Sequence, residues 1–177
     1  MRPTLAAIVL LFLLTACGTD ENTGTKVSST EHNAADVTFA TEMIQHHAEA
    51  LSMVDLTLDR ELDPEVRALA DDILAAQAPE IESMTDWLTE WDEDIPETVR
   101  DHASAGHGAQ GNHPLEGASD ADFEDLWLEM MIEHHEGAVE MAEVEIADGQ
   151  YKPAIDLAED IVESQTAEIE TMERLLS

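Results

Sequence analysis

The sequence predicts an all-α protein, a four-helix bundle built from a duplicated helical hairpin. The motif Met43-Ile44-Gln45-His46-His47 returns eighty-eight residues later as Met131-Ile132-Glu133-His134-His135. Around both copies, apolar residues recur at helical spacing, and a length of 177 residues fits one domain. A unit that repeats within a chain cannot bury its apolar face alone, so the two copies are expected to pack on each other.

The repeat extends beyond the histidine motif into a second helix of each hairpin. At the same offset and without a gap, ten residues of the first half recur in the second; they include Leu69, Ile73, Gln77, Glu80, Met84 and Leu88, which match Leu157, Ile161, Gln165, Glu168, Met172 and Leu176. A match over two successive helices predicts two equivalent hairpins, and two hairpins make a four-helix bundle.

Local signals divide the predicted bundle, residues 33–177, into hairpin one (33–91), a loop (92–118) and hairpin two (119–177). The first helix is expected from about Asn33 to Asp59. Asp63-Pro64 supplies a cap and a first-turn proline for the second, which extends to about Trp91. Pro79 lies inside that helix and is expected to kink it.

The second hairpin has its own boundary signals. Ser119 with Asp122 predicts a cap for the third helix, which ends near Gly149. Pro153 opens the fourth helix, which continues to the C-terminus. Between the hairpins, residues 92–117 contain prolines and histidine–glycine clusters without an apolar period, and they are interpreted as a loop.

The N-terminal segment resembles a bacterial lipoprotein signal. Arg2 precedes an apolar run, and Leu14-Thr15-Ala16-Cys17 resembles a cleavage site after which Cys17 is acylated. The alternative is an ordinary secretory signal with an incidental cysteine. Residues 18–32 are rich in Thr, Ser, Asn and Gly, and they are interpreted as a flexible tether. We therefore expect an exported protein anchored through lipid to the outer face of the cell membrane.

Charge and cysteine content exclude several kinds of partner and site. A formal net charge of −34 repels nucleic acid and anionic lipid and raises the local concentration of cations, although acidity is also a general means of solubility. With one cysteine, the chain has no intramolecular disulfide, and a thiolate metal site or a cysteine nucleophile is not expected.

The duplicated motif is the best candidate for a metal site. Helical geometry turns both histidines of each copy toward the bundle interior, with methionines on the same or adjoining faces. Thioether and imidazole ligands suit Cu(I), and by extension Ag(I), better than Mg, Ca or Mn. The candidate ligands are His46, His47, His134, His135, Met43, Met53, Met131 and Met141. Histidines bonded within a core and methionines that only pack are the alternative interpretation.

Polar residues on the apolar faces of the second and fourth helices are expected to pair with these imidazoles. Gln77 and Glu80 occupy such positions in the first hairpin, and Gln165 and Glu168 occupy them in the second. A buried polar group without a partner costs about 1–3 kcal/mol, and an imidazole N–H would satisfy it. The same hydrogen bonds would fix the histidine tautomers around a metal.

Other sites are less well supported. A di-metal oxidase would use Glu-x-x-His on two helices, but none of the four motif histidines has a carboxylate three residues before it. Glu80 and Glu168 could still act as ligands in a mixed site. His102, His107 and His113 of the central loop could capture a cation, or they are simply solvated. No catalytic constellation is recognised, so an enzyme is not predicted.

These residues resemble the bacterial family called domain of unknown function 305. Its pattern Asn-x-x-Asp-x-x-Phe-x-x-x-Met-Ile-x-His-His-x-x-Ala-x-x-Met is matched from Asn33 to Met53, and residues 123–176 match equally well. The resemblance implies a ferritin-like bundle, usually exported, with copper binding and copper tolerance in some relatives. Relatives often have methionines in the central loop. Here the loop has histidines instead, which favours Cu(II) or Zn(II) there.

The sequence therefore predicts an extracytoplasmic, membrane-anchored lipoprotein that binds copper for sequestration, delivery or tolerance. Cu(I) is the favoured ion, and Cu(II) or Zn(II) is the alternative. A structural or protein-interaction lipoprotein with a buried His/Gln/Glu network is the second hypothesis, and a di-metal oxidase is the third. A homo-oligomer and a partner protein for metal delivery are both left open.

Overall fold

The structure is a computed structural model that describes residues 31–104 and 114–177. These residues form helices α1 (Ala34–Asp55), α2 (Pro64–Glu90), α3 (Val99–Ser104), α4 (Asp120–Asp148) and α5 (Lys152–Leu175), with a 3₁₀ turn at Pro114–Gly117. The all-α prediction is confirmed, since the four long helices are those of a bundle with one long crossover between its hairpins. None of the helices in these ranges is both long and apolar enough to cross a membrane.

Helix α1 begins at a capping box. The Asn33 side chain accepts hydrogen bonds from the backbone N–H groups of Ala35 and Asp36, and the Asp36 carboxylate accepts one from the Asn33 N–H. This reciprocal pairing satisfies backbone donors that the first turn of a helix leaves free. The helix ends at Asp55, earlier than the predicted Asp59, because the Thr57 hydroxyl donates to the carbonyl of Val54 at 2.7 Å in a turn.

Helix α2 has the predicted start. The Asp63 side chain accepts from the Glu65 N–H at 2.8 Å, and Pro64 occupies the first turn. The helix continues through Pro79 and ends at Glu90. Two residues later, Asp92 has a left-handed φ of 61°. There the Glu93 N–H donates to the Leu88 carbonyl at 2.9 Å, a helix ending in which Asp92 takes the place usually held by glycine.

The predicted cap of α4 is wrong in its chemistry. Ser119 stands at the cap position, but its hydroxyl donates to the Asp122 carboxylate at 2.6 Å instead of accepting from the helix backbone. The short carboxylate competes with the backbone for the hydroxyl. In the link between α4 and α5, Tyr151 stands at the cap position of α5. Pro153 lies in the first turn of α5, as predicted.

The sequence indicated that the segment between the hairpins is a loop, but the structure has a short helix, α3, and a 3₁₀ turn there. Helix α3 begins after Thr98, whose backbone N–H and hydroxyl both donate to Asp101 at 2.9 Å. Arg100 also pairs with Asp55 at 3.0 Å, which ties α3 to the end of α1. The 3₁₀ turn is anchored by the fully buried Leu115. These contacts with the bundle order a segment that shows no apolar period.

Antiparallel packing of α1 and α4 brings the two hairpins together. At one end of this helix pair, the Asn33 side-chain amide donates to the Asp148 carbonyl at 2.9 Å. At the other end, the Trp127 indole N–H donates to the Met53 carbonyl at 3.0 Å. Helix α2 packs on α1, and α5 packs on α4. The repeated halves are therefore related by an approximate two-fold axis between α1 and α4.

The core is divided into two apolar clusters. One contains Trp127, Phe123, Met53 and Met131. The other contains Phe39, Met43, Met84 and Ala142, among others. The four motif histidines, with Gln77, Glu80, Gln165 and Glu168, belong to neither cluster, and they form a polar layer at the middle of the bundle.

Candidate metal centre

His47 and His135 occupy equivalent places in the polar layer. Both are fully buried, and each is paired with a carboxylate of the other helix in its hairpin. The Nε2 atom of His47 lies 2.7 Å from Glu80 Oε2, and that of His135 lies 2.8 Å from Glu168 Oε2. From the polar positions on the apolar faces of α2 and α5, the sequence predicted that these glutamates pair with motif histidines, without selecting which of the four.

These two carboxylates determine which ring nitrogen carries the proton. A carboxylate only accepts hydrogen bonds, so Nε2 of each ring is the donor, and in the neutral form of the ring Nδ1 carries the lone pair. The Nδ1 atoms of His47 and His135 are buried and have no hydrogen-bond partner. Each ring therefore directs an unused lone pair into the interior, as a metal-binding histidine held by a carboxylate does.

His46 and His134 pack against each other across the α1–α4 interface with their rings tilted. Their ring centroids are 3.7 Å apart, with an angle of 44° between the planes. Both nitrogens of His134, and Nδ1 of His46, are buried without a hydrogen-bond partner. The first residues of the two motif pairs thus pack on each other at the approximate two-fold axis.

Burial keeps these two rings neutral. Loss of solvent lowers the pKa of His46 to about 4, helped by the nearby His47 and His135. Burial also lowers the pKa of His134 to about 3, with His46 and His135 adding to the effect. At neutral pH both rings are therefore uncharged, and neutral imidazole is the form that binds metal.

The two-fold symmetry is broken beside this pair. Gly137 of α4 packs under His46, and a Cβ atom added to it would lie 3.1 Å from His46 Nε2. The equivalent position in α1 is Glu49, which is exposed and whose Oε2 atom lies 4.0 Å from His134 Nε2. The sequence-based interpretation did not include Glu49. The signal that could have found it is that the two copies of the repeat differ here, with Glu49 in one and Gly137 in the other.

The candidate methionines flank the polar layer on both sides. Met43 is buried in one apolar cluster, and the partly buried Met141 packs against that same cluster. Met53 and Met131 are buried in the other cluster. The antiparallel arrangement therefore brings one methionine from each copy of the motif to each side of the histidines.

The predicted partnership of the glutamines with imidazole is wrong. Neither end of the buried Gln77 amide has a hydrogen-bond partner, and the same is true of the Gln165 side-chain carbonyl. Glu80 and Glu168, each about one helical turn after its glutamine, accept the hydrogen bonds from the Nε2 atoms instead. The glutamines lie in the layer without pairing to the rings.

Within residues 31–104 and 114–177, no three His, Asp or Glu side chains are close enough together to hold one metal ion. Imidazole pairs and His–Glu pairs are present, but they do not converge on a point. The loop histidines His107 and His113 lie outside the described residues, as do Cys17 and the side chain of His102. His32, assigned to the tether, stacks on Trp91 with ring centroids 4.3 Å apart.

A second buried group, which the sequence-based interpretation missed, lies at the end of the bundle where α1 begins. The fully buried Asp36 accepts from the backbone N–H groups of Gln150 and Tyr151 at 2.9 and 2.8 Å. Glu145 lies beside it, and burial together with the hydrogen bond to Asp36 raises the pKa of Glu145 to about 8. Burial acts to raise the pKa of Asp36, but hydrogen bonds from Glu145 and the backbone outweigh it and lower that pKa.

Comparison with known proteins identifies the family. The family model described as domain of unknown function (DUF305) matches residues 36–176. The chain belongs to this family. No curated protein matches it.

Solved structures of DUF305 proteins share its fold. A fragment from Deinococcus radiodurans is 33% identical with a TM-score of 0.69, covering 81% of this chain and 96% of that one. A DUF305 protein from Streptomyces coelicolor is 32% identical with a TM-score of 0.70, covering 84% and 94%. CopM in its Cu(II)-bound form is 30% identical with a TM-score of 0.68, covering 80% and 95%. CopM structures also exist in Cu(I)-bound, Ag-bound and apo forms.

Proposed function

We propose that this DUF305 protein is an extracytoplasmic lipoprotein that binds copper in the polar layer of its bundle, for sequestration, delivery or tolerance and not for catalysis. The observation that carries the proposal is the pair of buried imidazoles whose Nε2 atoms are held by Glu80 and Glu168 while their Nδ1 atoms are unpaired. The proposed anchor is an acylated Cys17 at the outer face of the cell membrane.

Unpaired buried polar atoms favour a ligand. Leaving a buried nitrogen without a partner costs about 1–3 kcal/mol, and this layer contains several such nitrogens. A metal bound to their lone pairs would recover that cost. His46 and His134 are neutral at physiological pH and need not lose a proton before binding.

The methionines indicate which metal. Thioethers at the border of the layer, together with imidazoles, favour Cu(I) over the harder divalent cations. CopM, which shares the fold, has been captured with Cu(I), Cu(II) and Ag. This likeness supports copper as the ion and leaves its oxidation state to be measured.

Titration of the mature protein with Cu(I) against a chelating dye tests the proposal. The wild type is expected to take up copper, and a variant with all four motif histidines changed to alanine is expected to lose most of it. Because that variant removes much of the core, a milder variant, His46→Gln with His134→Gln, is measured beside it after circular dichroism confirms folding. His32→Ala is the matched control, since its ring lies outside the layer. Unchanged stoichiometry in both motif variants would exclude the site.

A structural role for the layer is the second candidate function. It is favoured by the His47–Glu80 and His135–Glu168 hydrogen bonds, which alone could fix the register of each hairpin, and by the lack of three converging His, Asp or Glu side chains in the described ranges. A ligand that binds only the native state must raise its stability. Thermal unfolding that is insensitive to copper would therefore favour the structural role, and retained iron with oxygen consumption would indicate a di-metal oxidase.

The anchor is tested separately. Cys17→Ser is expected to move the protein from the membrane fraction to the soluble fraction of its host. A variant that stays with the membrane would exclude lipid attachment at this residue.

A further inference from the structure

We infer that Glu49 supplies an oxygen ligand beside His134, which makes the exposed side of the His46–His134 pair a site for a divalent ion, Cu(II) or Zn(II). The inference rests on the proposed function, because it assigns a particular residue and oxidation state within the same layer. It concerns one face of the bundle, where α1 and α4 meet, and not the His–Glu pairs within each hairpin.

The distance between the two groups fits a metal. Glu49 Oε2 lies 4.0 Å from His134 Nε2, which is too long for a hydrogen bond. Bonds from Zn(II) to histidine nitrogen and carboxylate oxygen are each about 2.0–2.2 Å, and a tetrahedral ion would bring the two atoms to about 3.4 Å, so a small movement of the exposed Glu49 side chain would let one ion bind both. His134 Nε2 is buried and has no hydrogen-bond partner, which leaves it available to bind.

The exposed Glu49 side chain makes such a site reachable from solvent, whereas Nε2 of His134 is itself buried. The Glu49 side chain is 57% exposed, whereas that of His134 is 12% exposed. The carboxylate can therefore meet an ion at the surface and swing toward the ring. The ring of His46, packed against that of His134, is the nearest further imidazole. The remaining positions would be filled by water, as in an open site.

The broken symmetry assigns this role to one copy of the repeat. The position equivalent to Glu49 is Gly137, which has no side chain and lies directly under His46 Nε2. A carboxylate in both copies would add a second negative charge next to the pair. With one carboxylate, the pair has a single mixed nitrogen–oxygen face.

The oxygen ligand determines the preferred oxidation state. Carboxylate is a hard ligand and suits divalent ions, whereas thioether suits Cu(I). Glu49 is thus expected to contribute to the affinity for Cu(II) and Zn(II) and to leave the affinity for Cu(I) unchanged. The methionines lie in or against the buried apolar clusters, whereas Glu49 is exposed.

Affinities of the mature protein for Cu(II), Zn(II) and Cu(I) test the assignment. Glu49→Gln is expected to weaken Cu(II) and Zn(II) binding at least about tenfold, since losing a group that only hydrogen-bonds a metal ligand already costs about 10- to 100-fold. Cu(I) affinity is expected to stay at the wild-type value. Glu82→Gln on α2 is the matched control, because it removes the same charge from another exposed position.

Each outcome has a separate meaning. Equal weakening by Glu49→Gln and Glu82→Gln would show a general effect of charge and overturn the inference. Wild-type affinity for Cu(II) in Glu49→Gln would overturn it as well, while copper binding by the wild type would leave the proposed function standing. A wild-type protein that binds copper in neither oxidation state would overturn both.

Discussion

At the residue scale, neighbouring histidines of one motif have different surroundings. His47 and His135 are fixed by carboxylates at one nitrogen, whereas His134 has no partner at either nitrogen. The difference follows from the helical rotation of about 100° between adjacent residues, which turns one ring to the hairpin partner and the other to the opposite hairpin. One dipeptide therefore contributes both to the packing of a hairpin and to the contact between hairpins.

The His47–Glu80 hydrogen bond is expected to contribute to stability. Glu80→Ala leaves the Nε2–H of a fully buried ring unpaired, so the free energy of unfolding in urea should fall by about 1–3 kcal/mol. Glu82→Ala, on the same helix but exposed, is the control and should change it by about 0.5 kcal/mol or less. Equal effects in the two variants would contradict the prediction.

Individual residues were predictable where one helix was enough to place them. Glu80 and Glu168 stand on apolar faces, and this alone predicted their pairing with histidine. Glu49 could not be found in this way, because it lies on the exposed side of α1 and its neighbour His134 belongs to the other hairpin. Gln77 was misjudged, because an apolar face predicts burial but does not select which polar side chain reaches the ring.

At the element scale, Asp36 and Glu145 connect three elements at one end of the bundle. Asp36 belongs to the capping box of α1 and also accepts hydrogen bonds from the link between α4 and α5. Neither Glu145 oxygen has a donor partner, so a proton on Glu145 is needed for the two carboxyl groups to share a hydrogen bond. Tyr151 also lies at this junction; burial, with the nearby Glu90, raises its pKa.

Stability is expected to depend on the ionisation of Glu145. Its pKa is about 8 in the folded protein and 4.5 as a free group, so the stability that Glu145 contributes is fully present below pH 4.5 and is lost as the pH rises to about 8. The slope is up to about 1.4 kcal/mol per pH unit. Glu145→Gln mimics the protonated form, and its difference from the wild type in urea unfolding should grow between pH 5 and 8. A constant difference would show that Glu145 does not titrate in this range.

Helix boundaries show how far local signals reach. Asp63-Pro64 predicted the start of α2, since a cap and a first-turn proline act within a few residues. The short helix α3 escaped prediction because it carries no apolar period and is held by its contact with α1 through Arg100. The hydrogen bond from Ser119 to Asp122 was not predicted, because the hydroxyl can bond either to the helix backbone or to Asp122 and the sequence does not decide between them.

At the scale of the whole molecule, a polar layer lies between two apolar clusters. The ungapped repeat predicted that two hairpins pack together, and the structure confirms the bundle. It did not predict that the first histidines of the motifs pack against each other, because the register between hairpins depends on the antiparallel contact of α1 with α4. Protonating His46 and His134 would place charges on buried rings that no carboxylate hydrogen-bonds.

Acid is therefore expected to destabilise the fold through this layer. His46 and His134 have folded pKa values of about 4 and 3, below the ordinary 6.5, so the unfolded chain binds protons first. Their effect is absent above pH 6.5, and stability falls between 6.5 and about 4 by up to about 1.4 kcal/mol per pH unit for each ring. His46→Gln with His134→Gln should flatten this part of the pH profile in urea unfolding. An unaltered profile would assign acid sensitivity to other groups.

The difference between Glu49 and Gly137 has a consequence for what a duplicated chain can hold at its centre. Two identical hairpins paired as a homodimer would carry the same residue at both places. Because both hairpins belong to one polypeptide, one copy has a small residue that lets His46 approach the helix backbone, and the other has a carboxylate near His134. A single chain can therefore contain a one-sided arrangement that a symmetric dimer cannot.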